Sequence, residues 1–170
     1  MTETINRNYL EIKSIDTLRE SKVTKIMNSI DLVDPIDFQI NKFFYKNIGK
    51  KHRWTDRLIW SDEDWIKYVK NSKVETYILK VEGDLAGYFE LIIHDDLKEK
   101  EIEIAYFGLL EEYHNKKLGG YLLSEAIKKS FLKEKINRVW VHTCTFDHKN
   151  ALKNYLARGM KIFKKETVKI

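Results

Sequence analysis

The sequence holds one cysteine, Cys144, and one proline, Pro35. A lone cysteine excludes an intramolecular disulfide framework, and with no Cys pair the spacing of a structural zinc site is missing. Seven glycines and one proline in 170 residues leave no Pro/Gly-rich linker at which to divide the chain. One continuous domain over 1–170 is the expectation, with no internal repeat. No apolar run approaches the roughly 20 residues of a membrane span, and Met1–Asn8 is polar where a secretory leader has an apolar core. A cytoplasmic address and no membrane partner are expected from these absences.

What is present is a globular composition, 43% hydrophobic and 34% charged, which excludes a disordered chain. The formal charge of +5 suits an anionic ligand such as a nucleotide or coenzyme A. Lysines alternate with Glu and Asp along most of the chain, and no basic stripe with stacking aromatics is visible. Nucleic acid is therefore not the expected partner. Lys128-Lys129 and Lys164-Lys165 read as solvated faces.

Leu10 and Ile12 alternate with polar residues, a strand signal, whereas Val23–Asp31 fits neither period. Asp34-Pro35 reads as an N-cap and first position of a helix carrying Ile36, Ile40, Phe43, Phe44 and Ile48, stopped by Gly49. After an aromatic loop, Ser61 and Asp64 form a capping box for a helix with Trp65 and Val69 on one face. Thr76–Val81 and Leu85–Ile93 flank the turn Glu82-Gly83-Asp84 as a hairpin, and Glu101–Leu110 is a further strand. Leu118, Leu122, Leu123, Ala126, Ile127 and Phe131 make one helical stripe. Arg138–Thr145 is a strand, and Asp147 is expected to cap a helix holding Ala151, Leu152, Tyr155 and Leu156. Gly159 suits a left-handed exit, and Met160–Ile170 returns as one strand or two. This order gives an α/β layout with a mixed sheet covered by helices.

The run from Tyr113 to Leu123 joins a strand to an amphipathic helix and contains Gly119-Gly120. The first N–H groups of a helix lack internal partners and sit at its positive end, so glycines there let a pyrophosphate approach the backbone. Lys116 and Lys117 add positive charge. On this segment alone, an ordinary strand–helix turn fits as well.

The segment resembles the coenzyme A pyrophosphate loop of the GNAT acetyltransferase superfamily, Arg/Gln-x-x-Gly-x-Gly/Ala, written here His114-Asn115-Lys116-Lys117-Leu118-Gly119. His114 stands for Arg/Gln and Lys117 for the first glycine; a positive φ at Lys117 would cost on the order of 1 kcal/mol. The flanking strands and the helix His148–Arg158 before Gly159 follow the superfamily's order. The blocks from His142 to His148, Ala151-Leu152, Asn154-Tyr155 and Trp54-Thr55-Asp56-Arg57 resemble a subgroup of bacterial GNAT proteins. The resemblance is strong from Glu101 to about Phe163, weaker back to Trp54, and slight over Met1–Lys51.

The resemblance implies a mixed, mostly antiparallel sheet flanked by helices. It implies acetyl-CoA as cosubstrate, with no metal, and direct attack by an amine in a ternary complex. The acceptor would be a small-molecule amine or an exposed protein amino group. The backbone of Leu109, continued by Leu110 and Glu111, would bind the pantetheine arm and polarise the thioester carbonyl. Asn115, Lys116, Lys117, Leu118, Gly119, Gly120, Tyr121 and Leu122 would hold the pyrophosphate, and His148 stands where the family has an Asn touching coenzyme A. Glu103 matches the general base of the histone acetyltransferase members; by alternation it is equally a solvated strand residue beside Glu101. Tyr155 matches the tyrosine that protonates the coenzyme A thiolate; on its stripe it is equally a core tyrosine. Trp54, Asp56, Arg57 and Trp60 line an acceptor pocket in which Asp56 attracts a cationic amine, or else form a packed loop with an internal Asp–Arg pair. His142, Cys144 and His148 lack the further ligand a zinc site needs. A non-catalytic acyl-CoA-binding module on the same fold is the alternative, and the presence of both Glu103 and Tyr155 favours the enzyme. A homodimer stays open, and the acceptor is not legible.

Overall fold

A computed structural model describes residues 2–23, 26–96 and 98–169. Among the described residues, seven strands form one sheet in the order β2-β3-β4-β5-β6-β1-β7. They are β1 (Thr4–Ile12), β2 (Asn28–Leu32), β3 (Val74–Val81), β4 (Asp84–His94), β5 (Lys100–Leu109), β6 (Ile136–Cys144) and β7 (Lys161–Lys169). All neighbours are antiparallel except β5 and β6, which run parallel. The helix α3 (Leu118–Phe131) is the crossover that a parallel pair requires. The sheet is thus mixed and mostly antiparallel, as the sequence led us to expect.

Helix stripes decide which sheet face each helix covers. Leu118, Leu122, Leu123, Ala126 and Ile127 of α3 pack with Leu10, Ile102, Ile104, Val139 and Val141 in the main core. Each fully buried leucine there contributes about 1.5–3 kcal/mol over an exposed one. Tyr155 of α4 (Ala151–Ala157) joins the same core. On the other face, Phe44 and Ile48 of α1 (Phe38–Gly49) pack against Ile78 and Tyr88, with the Phe44 and Tyr88 rings stacked at 4.8 Å. Helix α2 (Asp62–Lys70) begins at the capping box of Ser61 and Asp64 and buries Trp65 and Val69, as the pattern indicated. Among the described residues no helix is long and apolar enough to cross a membrane.

Four local readings change. Asp34-Pro35 does not open α1: that peptide is cis, and the N-cap is Asp37, whose side chain accepts from Gln39 N at 3.0 Å. The buried face of α1 is Asn41, Phe44, Tyr45 and Ile48, while Ile36 and Phe43 are exposed. Asn41 is inside because it bonds Glu90 and Thr76 there. The ambiguous Val23–Asp31 yields the edge strand β2; Thr24 and Lys25 within it, like the terminal Ile170, lie outside the described residues. Asp147 does not cap α4, whose N-cap is Asn150; it closes a turn by accepting from Thr143 Oγ1 (2.5 Å) and Cys144 N (2.9 Å).

The site's architecture comes from one interruption. β5 and β6 pair only from Lys100–Ile136 to Glu103–Trp140, and beyond that point they part. In the pairing with β4, Glu90 faces Tyr106 and Leu91 faces Ile104, so Ala105 is an extra residue, a bulge. The bulge reverses the alternation: Ile102 and Ile104 face the α3 core before it, Phe107 and Leu109 after it.

Candidate active site

The gap between β5 and β6 is a cleft of about 900 Å³. That is within the size of cofactor pockets. Its walls are β5 from Glu103 to Leu109, the end of β6, the start of α3, the Tyr155 face of α4 and the loop after α1.

On the β5 wall the backbone supplies donors. Leu110 N donates to Ala86 O at 2.8 Å, which makes Leu109 and Gly87 a non-hydrogen-bonded pair. The N–H and C=O of Leu109, and by alternation those of Phe107, then point away from β4 into the gap. His114 confirms the direction: its Nε2 donates to Leu109 O at 3.1 Å. Leu110 itself has spent its N–H on Ala86, and Glu111 turns outward in a 3-10 turn, where Lys51 Nζ meets its carboxylate at 2.6 Å. Neither Leu110 nor Glu111 lines the cleft, so the expected strand contact narrows to Leu109, with Phe107 added.

At the start of α3, Asn115 and Lys117 adopt left-handed conformations with φ of 61° and 60°. Lys117 is the N-cap and makes no side-chain cap bond, so no capping side chain takes up the first-turn N–H groups. Asn115, Lys117, Leu118, Gly119 and Gly120 line the cleft. A Cβ on Gly119 would find only ordinary contacts, the nearest Asn154 Nδ2 at 3.7 Å. That amide donates to Gly119 O at 3.0 Å and ties α4 to α3. This cradle of free N–H groups beside Lys117 fits a pyrophosphate. Lys116, Tyr121 and Leu122 stand off the cleft: Lys116 lies over the Tyr113 ring, and Leu122 is fully buried in the core.

Across the gap, Tyr155 is buried, with its ring 6.3 Å from that of Phe107. Its hydroxyl makes no hydrogen bond to protein among the described residues. Burial, reinforced by the Asp147 charge, pushes its pKa well above the ordinary tyrosine value, so it holds its proton. Glu103 sits where the strands part, bonded to His94 Nε2 at 2.9 Å. His142 is the next β6 residue on that face, exposed to the open cleft; partial desolvation by the cleft walls and the Arg7 charge lower its pKa. His148 lines the cleft with its ring 4.9 Å from His114 and 6.1 Å from His52. Its pKa is lowered by burial and by those two rings. Among the described residues no group of three His, Cys, Asp or Glu side chains is placed to hold a metal ion.

The aromatic loop divides between site and scaffold. Asp56 accepts from Tyr45 (2.8 Å) and Tyr106 (2.8 Å), and it lines the cleft with Trp54. Burial raises the pKa of both tyrosines, which keeps them donors. Arg57 does not pair with Asp56: Nη1 reaches the fully buried Glu90 at 2.9 Å, inside a cage of five rings. Trp60 stands off the cleft, packed on Trp65 at 4.9 Å and Tyr68 at 5.4 Å. His52 Nδ1 donates to Phe146 O at 3.1 Å and Arg53 lies 4.3 Å over the Phe146 ring, so this loop bridges the cleft. Sequence reading missed Arg7, His52, Arg53 and Tyr106 as wall residues; only the strand alternation of β1 offered a signal for Arg7.

No curated protein matches the sequence. Among solved structures the chain is similar to a GCN5-related N-acetyltransferase from Kribbella flavida, at 13% identity over 96% of this chain, with a TM-score of 0.67. It spans 56% of that protein's length. A GCN5-related N-acetyltransferase from Sphaerobacter thermophilus matches at 10% identity and a TM-score of 0.69, over 99% of this chain and 53% of its own. An aminoglycoside acetyltransferase from an uncultured soil metagenomic sample matches at 13% identity and a TM-score of 0.63, over 77% of this chain and 86% of its own. At such identities the likeness is one of fold. The model of the acetyltransferase (GNAT) family matches residues 38–160, and the chain belongs to that family.

Proposed function

We propose that this acetyltransferase uses acetyl-CoA to acetylate an amine by direct attack. The observation that carries the reading is the split between β5 and β6, which turns the N–H groups of Phe107 and Leu109 into a cleft that Tyr155 also lines and that ends on the first turn of α3. The first turn, with Lys117, would bind the pyrophosphate; the β5 backbone would take the pantetheine amides as an added strand. Acetyl-CoA supplies an activated thioester. Leu109 N–H stabilises negative charge developing on a carbonyl oxygen. Glu103, oriented by His94, accepts the proton of the attacking amine, directly or through a water. Tyr155 gives its proton to the departing sulfur. These roles need no metal.

Binding is tested by thermal shift with coenzyme A, since a ligand that binds only the folded state raises stability by about 2.7 kcal/mol at a hundredfold excess over Kd. Gly119→Asp, which puts a carboxylate among N–H groups meant for phosphate, should abolish the shift. No stabilisation of the unsubstituted protein at millimolar coenzyme A would refute the reading. Thiol release with a panel of amines then tests transfer.

A further inference from the structure

Arg7 occupies a place that acetyl transfer leaves unused. β1 pairs with β6 so that Arg7 lies opposite Cys144, Tyr9 opposite His142 and Glu11 opposite Trp140. These side chains share one sheet face, and across the β5–β6 pair Glu103 stands beside Trp140. Arg7 therefore projects from the same face as Glu103, two rows further along the opening, and lines the cleft with His142 and Cys144.

Its guanidinium is only partly used. Nη1 lies 3.4 Å from Tyr9 Oη and 3.5 Å from Glu166 Oε2, both long contacts. Nη2 makes no hydrogen bond or ion pair among the described residues, and Nε is buried with no partner. A buried N–H left without an acceptor is costly, and the natural complement of a guanidinium is a carboxylate. Negative charge on the cleft wall lies at Asp56, held by two tyrosine hydroxyls, at Glu103, and at Asp147, whose carboxylate is already taken up by Thr143 Oγ1 and the Cys144 N–H. The acceptor half of the cleft thus presents both a cation and anions.

We propose that the acceptor is an amine that also bears a carboxylate, a free amino acid or short peptide, whose carboxylate binds Arg7 while its amine faces Asp56 and Glu103. The proposal rests on the acetyltransferase reading above. A polycation, such as an aminoglycoside or polyamine, would gain at Asp56 and Glu103 and be repelled by Arg7.

The test measures thiol release from acetyl-CoA with L-amino acids and dipeptides, each beside its C-terminal amide, and with spermidine and kanamycin. Acids should exceed their amides in kcat/KM by about 10- to 100-fold, the range of hydrogen bonds to charged groups. Arg7→Gln should bring that ratio close to unity through KM, with kcat and the coenzyme A thermal shift unchanged. If Arg7→Gln does not fold, Arg7→Lys serves; it keeps the charge but not the planar fork, so the ratio should still fall. Amides as good as acids, a preference for spermidine or kanamycin, or a ratio that survives both substitutions would overturn the proposal while leaving acetyl transfer standing. A protein that coenzyme A does not stabilise and that releases no thiol with any amine overturns both.

Discussion

Replacing Arg57 by methionine would remove the guanidinium and leave Glu90 behind, fully buried, with Tyr68 Oη at 2.7 Å and Asn41 Nδ2 at 2.8 Å as its remaining donors. Breaking a buried pair by removing one partner typically costs about 3–5 kcal/mol, because the orphaned charge keeps its desolvation penalty. In a chain of 170 residues each kcal/mol lowers the melting midpoint by about 2–4 °C, so Arg57→Met should melt roughly 6–20 °C lower. If the orphaned charge is the cause, neutralising it helps. The double variant Arg57→Met/Glu90→Gln should recover at least about 1 kcal/mol of the loss, since the buried charge is gone, the glutamine carbonyl can accept from Asn41 in place of one carboxylate oxygen, and its NH2 can donate to the Tyr68 hydroxyl in place of the other. Urea unfolding with a common m-value gives both differences. The effect should reach the cleft as well. The guanidinium lies 4.2 Å over the Tyr106 ring, and Tyr106 presents Asp56, so the acceptor KM should rise in Arg57→Met even where the protein is folded. A single variant that loses less than about 1 kcal/mol, or a double variant no more stable than the single, would refute the assignment of Arg57 as a buried structural cation.

Tyr155→Phe should cut turnover by about a hundredfold or more with little change in folding or coenzyme A affinity, because the hydroxyl has no hydrogen-bond partner to lose among the described residues; single-turnover kinetics with the thioester decide it. Gly159 has φ +99°, and a Cβ there would stand 2.5 Å from Thr17 O, so Gly159→Ala should destabilise by at least about 1 kcal/mol in chemical denaturation. The surrounding cleft walls lower the pKa of His148 and that of His142, which is exposed to solvent and so screened; below the unfolded value of about 6.5 the unfolded chain binds more protons than the folded one, so stability falls modestly as pH falls. Melting midpoints should therefore drop between about pH 7 and 5.5, and His142→Gln with His148→Gln should flatten that slope.

Much of the fold was legible because it is written in short-range chemistry. The box of Ser61 and Asp64, the turn Glu82-Gly83 with φ of 51° and 86°, and the α3 stripe each depend on residues within a few positions of one another. The loop proposed to hold the pyrophosphate was legible as a strand–helix junction for the same reason: a strand, two glycines and a helix start are contiguous, and Lys117 adopts a positive φ. Patterns of polarity alone misplaced the buried face of α1. Asn41 is inside because Glu90, forty-nine residues away, needs a donor, and no local period records that. Arg57 looked like a partner for its neighbour Asp56, yet the packing of α2 on β3 and β4 gave it to Glu90 and gave Asp56 to two tyrosines. Where β5 and β6 part could not be read from local periodicity, since it depends on pairing between strands separated by a whole helix; only the family resemblance pointed to an opened strand at Leu109. Arg7 lay in the stretch that carried least resemblance. It belongs to the cleft because β1 inserts between β6 and β7, so sheet order, a property of the assembled chain, brought it there.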